Sequence, residues 1–244
     1  MKSLRFLSII IPAYNEEARL PETLEKLDKF IASVPEMQVE VLIVNDGSHD
    51  GTAQLAREAA EHDPRYRLLD NPGNRGKGYS VRNGMLQARG DWALLTDADL
   101  STPIDEVLTL YRDASSAKAE IAIGSRALDR SKVTVHQSAI REFSGRFFNV
   151  IMRLATGLPY QDTQCGFKLF SRQAAKTVFS KQQLAGFGFD VEILYIARLH
   201  NLKAVEVPVA WANVEGTKVG LLQGLNAFVD IFRVRRNHLR GLYR

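Results

Sequence analysis

Cysteine is almost absent. Cys165 is the only one in 244 residues, so the chain forms no internal disulfide, which fits a reducing cytosol. No apolar run approaches the ~20 residues that a membrane span needs. Phe6 to Ile11 is apolar, but Pro12 and Asn15-Glu16-Glu17 follow at once, so this start does not read as a signal peptide. Neither sign of charge dominates: the formal net charge is +4, which allows a basic patch without implying nucleic acid. Internal repeats and low-complexity stretches are also missing. What remains, 45% hydrophobic and 25% charged residues, suits one globular domain with a substantial core and a short C-terminal extension.

Short apolar runs alternate with helical patterns. Phe6–Ile11, Val39–Val44, Tyr66–Leu69, Trp92–Leu95 and Glu120–Ile123 read as strands. Helices are expected over about 18–33, 52–61, 79–88 and 104–114, where apolar residues recur at helical spacing. Continuous apolar strands separated by helices predict an α/β fold: a mostly parallel, doubly wound sheet with helices on both faces. Beyond Arg126 the pattern loosens. A loop is expected over 129–138, a basic, aromatic helix over 139–155, a compact polar-then-apolar segment over 162–170 and a helix over 193–199. A strand over 204–211 contains Pro208 and belongs at a sheet edge.

The chemistry gathers around Leu94-Leu95-Thr96-Asp97-Ala98-Asp99-Leu100-Ser101-Thr102-Pro103. An apolar strand ends there in two carboxylates one residue apart. On an extended chain Asp97 and Asp99 share a face, and a bound cation would relieve their repulsion. Mg²⁺ takes one or two carboxylates and completes its shell with phosphates and water. The alternative is a plain turn in which Asp99 or Ser101 caps the next helix. Other strand ends are polar too: Tyr14 and Glu16, Asp46, and Arg126. In a doubly wound sheet these ends line one edge, where such folds bind ligands. Gly73-Asn74-Arg75-Gly76-Lys77-Gly78 adds a glycine-rich basic loop, but Tyr79 stands where a P-loop needs Lys.

Taken together, Pro-Ala-Tyr-Asn-Glu-Glu at 12–17, Asn-Asp-Gly-Ser at 45–48, Asn-Arg-Gly-Lys-Gly at 74–78, Asp-Ala-Asp at 97–99 and Gly-Ser-Arg at 124–126 resemble the family-two glycosyltransferases of the GT-A fold. Asp-Thr-Gln-Cys-Gly-Phe-Lys-Leu-Phe at 162–170 and Glu-Gly-Thr-Lys at 215–218 resemble the dolichyl-phosphate glucosyltransferases among them. The resemblance implies a catalytic domain over 1–218, with 219–244 as a basic amphipathic C-terminal helix. It also implies roles. Pro12, Ala13, Tyr14 and Glu16 would frame a nucleoside. Asp46 would accept from the base, uracil. Asp97 and Ala98 would meet the ribose or sugar. Asp97 and Asp99 would hold Mg²⁺ or Mn²⁺ on the diphosphate. Lys77, Arg126 and Lys218 would contact phosphates, and Asp162 would lie near the reacting centre. Asn45 departs from the more usual Asp-Asp-Gly-Ser. Ser101 and Ala212 depart from the related mannosyltransferases and count against GDP-mannose.

The reaction implied is transfer of a hexose from UDP-glucose to a polyprenyl phosphate, with inversion. A phosphate acceptor needs no general base, because its second pKa is about 6. Asp162 would then orient groups rather than take a proton, or simply pair with Arg141 or Lys168. Leu221, Leu222, Leu225, Phe228, Val229 and Phe232 form one stripe, followed by Arg233, Arg235, Arg236, Arg240 and Arg244. Such a helix can lie in a headgroup layer, which implies a cytoplasmic enzyme peripheral on the cytoplasmic face of a membrane. The rival readings are the same donor chemistry with a polysaccharide or protein acceptor, a sugar nucleotidyltransferase, and a non-catalytic nucleotide-sugar-binding module.

Overall fold

The computed structural model describes residues 3–135, 152–153, 156–212 and 221–244. In chain order the first half is β1 (Phe6–Ala13), α1 (Leu20–Ser33), β2 (Gln38–Asn45), α2 (Thr52–His62), β3 (Tyr66–Asp70), α3 (Lys77–Gln87), β4 (Trp92–Leu95), α4 (Glu106–Ala117) and β5 (Ile121–Ser125). A single 3-10 turn, Arg130–Lys132, leads to β6 (Val133–Val135). Then come β7 (Lys168–Ser171), α5 (Arg172–Lys181), α6 (Phe189–Leu199), β8 (Ala204–Pro208), β9 (Trp211–Ala212) and α7 (Leu221–Leu239).

Seven strands form one sheet in the order β3-β2-β1-β4-β7-β5-β8. Every pairing within it is parallel except those of β7, which runs antiparallel between β4 and β5. The expected mostly parallel sheet is therefore present. Its antiparallel centre was not foreseen, because residues 162–170 read as one compact segment. β8 lies at the edge, as Pro208 demands, since proline cannot donate to a ladder. The strand expected over 204–211 divides into β8 and β9, and β9 pairs with β6 in a separate small sheet.

Strand alternation feeds two cores. Ile9 and Ile11 face α1, α2 and α4, while Ile10 faces α3, α5, α6 and α7. The one acid inside β2, Glu40, is buried but accepts from the Ser8 hydroxyl at 2.6 Å, the Arg89 N–H at 2.6 Å and the Arg67 guanidinium at 3.2 Å. A buried carboxylate persists only with such donors. Ser171 ends β7 and caps α5, its hydroxyl accepting from the Ala174 N–H.

The helix expected over 139–155 falls mostly outside the described residues. Residues 152, 153 and 156 are helical, and Met152 is buried. Glu215 to Lys218 lie outside them entirely. Among the described residues no helix is long and apolar enough to cross a membrane.

Candidate active site at the carboxyl edge of the sheet

β1 and β4 are adjacent, and the chain leaves them toward opposite flanks of the sheet: β2 and β3 lie beyond β1, β7 and β5 beyond β4. That is the switch point at which doubly wound sheets open a crevice. The loops after β1, β2, β4 and β5 carry Tyr14 and Glu16, Asp46, Asp97 and Asp99, and Arg126 to this edge.

The two aspartates do not share a face of an extended strand end as expected. β4 ends at Leu95, and residues 97–100 make a turn in which the Leu100 N–H donates to the Asp97 carbonyl at 3.1 Å. Leu100 sits at φ 44°, outside the extended region. The turn gives the carboxylates different partners. Asp97 Oδ1 accepts from Lys77 Nζ at 2.6 Å. Asp99 Oδ1 accepts from the Ser101 N–H at 3.0 Å, and its Oδ2 stands 4.0 Å from Arg19 Nη1. Helix α4 begins only at Glu106, so Asp99 does not cap it. Burial works against both charges of the Lys77–Asp97 pair. Mutual attraction prevails, holding the Asp97 carboxyl below its ordinary range and the Lys77 ammonium above its own.

Glu16 turns back onto Arg19, which donates to it from Nε at 2.6 Å and from Nη2 at 2.9 Å. Arg19 thus links the β1 loop to Asp99. Pro12 and Ala13 belong to β1, and the Ala98 carbonyl accepts from the Thr23 hydroxyl at 2.6 Å. Both Ala13 and Ala98 are buried.

Asp46 is already engaged by its own chain. It is 4% exposed, and its carboxylate already accepts from Asn71 Nδ2 at 2.9 Å and from the N–H groups of Arg75 and Gly76 at 2.8 Å each. A carboxylate has about four lone-pair sites, so most of this one holds the 73–76 loop rather than facing a base. Gly47 explains the close fit: its φ is +70°, and a Cβ there would lie 2.6 Å from the Gly73 carbonyl carbon.

Arg126 and Asp162 form a two-pronged pair, Nε to Oδ2 at 2.6 Å and Nη2 to Oδ1 at 2.8 Å. Burial disfavours the Asp162 charge, but Arg126 outweighs it and holds the carboxyl below its usual range. A carboxylate so held is a poor base; its geometry is that of a group that positions Arg126. Of the two partners expected for Asp162, Lys168 pairs with Asp190 instead, and Arg141 lies outside the described residues. The Asp162 N–H in turn donates to Glu206 at 2.7 Å, and Arg126 lies over the Trp211 ring.

Lys168 was not expected in the site. It is fully buried on β7 and donates to the Cys165 carbonyl at 2.6 Å and to Asp190. Burial pushes the Asp190 carboxyl up, against the pull of Lys168 and Lys77. Lys168 and Asp190 were missed because they pair across a long stretch of sequence, and Arg19 because its approach to Asp99 is equally long-range. The available signal was acids inside the otherwise apolar run Phe189–Leu199. Lys218 lies outside the described residues.

A cleft at this edge is lined by Thr96, Asp97, Ser101, Thr102, Gly166, Phe167 and Trp211. Among the described residues no three His, Cys, Asp or Glu side chains cluster as a metal cage. Asp97, which lines the cleft with 37% of its side chain exposed, and Asp99, 22% exposed in the same turn, are hard oxygen donors. That set suits a cation that draws its remaining ligands from a diphosphate.

The glycosyl transferase family 2 model matches residues 8–179. The chain is 37% identical over 94% of its length to a dolichyl-phosphate beta-glucosyltransferase of Trichomonas vaginalis, covering 72% of that protein. It is 34% identical to the human dolichyl-phosphate beta-glucosyltransferase, over 98% of this chain and 77% of the relative. Among solved structures, mannosyl-3-phosphoglycerate synthase from Rubrobacter xylanophilus superposes with a TM-score of 0.70 at 14% identity, over 98% of this chain and 75% of that one. Glucosyl-3-phosphoglycerate synthase from Mycobacterium tuberculosis, in complex with Mn²⁺ and UDP, gives 0.67 at 17% identity, over 94% and 80%. With the sheet, its switch point and the matched motifs in agreement, the chain belongs to glycosyl transferase family 2.

Proposed function

We propose that this enzyme transfers glucose from UDP-glucose to dolichyl or another polyprenyl phosphate, inverting the anomeric carbon. The observation that carries the reading is the shared activity named for the relatives, which align along nearly the whole chain. An oxygen of the lipid phosphate attacks C1 of glucose from the face opposite UDP. The C1–O bond to UDP breaks as the new one forms, and UDP leaves with the electron pair. The phosphate is already dianionic, so no side chain has to remove a proton. Lys77 and Lys218 neutralise the departing diphosphate, and Arg126, aimed by Asp162, meets the acceptor phosphate. Asp99 and Asp97 would hold Mg²⁺ or Mn²⁺, which supplies further charge neutralisation when bound. Mn²⁺ and UDP in the mycobacterial neighbour support that assignment. Tyr14 and Glu16, with Pro12, Ala13 and the loop clamped by Asp46, frame the nucleoside.

The lipid acceptor requires access to a membrane, and α7 has a surface suited to it. Ile231 and Val234 pack on the domain, whereas Val229, Phe232, Leu239 and Leu242 are exposed, Phe232 by 74% and Leu239 by 83%. Exposed Arg233, Arg235, Arg236 and Arg240 stand among them. Apolar tips with interleaved cations match the headgroup region of an anionic bilayer. The domain over 1–218 would carry catalysis and 219–244 the contact with the cytoplasmic face.

The test incubates purified protein with labelled UDP-glucose, UDP-galactose or GDP-mannose and a polyprenyl phosphate. Label from UDP-glucose should pass into organic solvent. Transfer from GDP-mannose instead, or release of free glucose only, would overturn the proposal.

A further inference from the structure

Glu192 is fully buried on α6, away from the sheet edge. Its Oε2 accepts from the Leu184 N–H at 2.8 Å, and both oxygens accept from the Gln183 N–H at 3.1 Å. The Tyr243 hydroxyl donates to its Oε1 at 2.6 Å. Tyr243 lies in the last turn of the chain. Its hydroxyl accepts from Asn237 Nδ2 at 3.3 Å, its carbonyl meets His200 Nε2 at 2.8 Å, and its ring meets the Tyr195 ring edge-on. One carboxylate therefore joins the C-terminal turn to the segment between α5 and α6.

That segment supports the glycine-rich loop. Gln182 Nε2 donates to the Gly78 carbonyl at 2.8 Å, and the Tyr79 N–H donates to the Ala185 carbonyl at 3.2 Å. A Cβ on Gly76 would lie 2.5 Å from the Ala185 carbonyl oxygen, and one on Gly78 2.5 Å from that of Leu184. The two backbones interlock with no room for a side chain. Lys77 stands between those glycines and reaches Asp97 on one side and the Phe187 ring on the other. The seat of Lys77 is thus set by residues 182–187, and theirs by Glu192 and Tyr243.

We propose that Glu192 and Tyr243 are positioning residues for the donor diphosphate, through which the C-terminal turn fixes the loop that carries Lys77. The inference rests on the reading of Lys77 as a diphosphate ligand. Losing the hydroxyl should loosen the loop and weaken donor binding while leaving the sheet intact.

The test compares wild type with Tyr243→Phe, which keeps the ring, and with Glu192→Gln, which keeps the shape. Lys181→Ala is the control, since Lys181 holds the Arg244 carbonyl of the same turn without touching Glu192. Two readouts are taken: UDP affinity by calorimetry and amide hydrogen exchange. Tyr243→Phe should weaken UDP by about three- to tenfold, the loss of roughly one buried hydrogen bond. KM for UDP-glucose should rise in proportion, with kcat within about twofold. Exchange should quicken over 182–185 and 76–79 and stay unchanged in β1 and β2. Glu192→Gln should quicken the same peptides, and Lys181→Ala should do neither. Unchanged exchange over 76–79 in both latch variants would overturn the proposal, as would an equal effect from Lys181→Ala. If wild type binds no UDP, the donor reading fails by itself, and the exchange pattern still decides whether the latch exists.

Discussion

Lys77 Nζ and Asp97 Oδ1 lie 2.6 Å apart, joining the glycine-rich loop to the turn after β4. The cation suited to a diphosphate and the carboxylate suited to a metal thus neutralise each other. Donor binding has to exchange this contact for phosphate on one side and a cation on the other. Lys77→Ala should therefore raise KM for UDP-glucose by about tenfold or more, the loss of one charge-assisted hydrogen bond. Steady-state kinetics at saturating lipid acceptor measure it.

Asp99→Asn keeps shape and removes charge. Transfer should fall at least about a hundredfold, since hard cations depend on carboxylate ligands. The circular dichroism spectrum should not change, because an asparagine oxygen can still accept from the Ser101 N–H. Activity of wild type should vanish in excess EDTA and return with Mg²⁺ or Mn²⁺.

Asp46→Ala leaves the N–H groups of Arg75 and Gly76 and the amide of Asn71 without their acceptor. The expected result is weaker UDP binding by one to two orders of magnitude, about 1.5–3 kcal/mol, together with faster exchange at 74–76. Calorimetry and exchange should report the two effects in the same variant.

The Arg126–Asp162 pair predicts an acid dependence. The Asp162 carboxyl is held below its ordinary value of 3.8, because Arg126 outweighs burial. Its contribution is therefore complete above that value and is lost as pH falls through the lower folded-state value. Arg126→Gln strands a buried carboxylate and should cost about 3 kcal/mol at neutral pH. Urea melts at neutral pH and near pH 3 should show the gap between wild type and variant shrinking with acid.

Membrane contact should depend on the exposed side chains of α7. Wild type should sediment with anionic liposomes at low salt and much less at high salt, since each arginine adds about 1 kcal/mol at a charged surface. Phe232→Ser with Leu239→Ser should abolish sedimentation and leave UDP affinity unchanged.

The parallel half of the sheet was legible because its strands are continuous apolar runs ending in polar turns. The site edge was legible for the same reason. β7 was not. Its first residue, Lys168, is charged, and hydrophobic patterning places lysine at the surface. The Cys165 carbonyl and Asp190, the latter far along the chain, make its burial tolerable. Asp46 and Asp162 were expected as site residues, but their hydrogen-bond partners could not be read. Those partners are backbone N–H groups, the Asn71 amide and an arginine that only the folded loops bring close. Glu192 and Tyr243 were invisible for the same reason: each reads as ordinary until the chain end meets α6.

The antiparallel β7 also sets an order of assembly. It alone bridges β4 and β5, so the sheet stays in two pieces until residues 168–171 exist and dock. During synthesis β4 would present an unpaired edge for some seventy residues of further chain, from Leu95 to Lys168. Such an edge invites pairing with other chains, and closing it requires a long-range contact that forms slowly. A fragment ending before Lys168 should therefore aggregate rather than fold as a smaller nucleotide-binding unit.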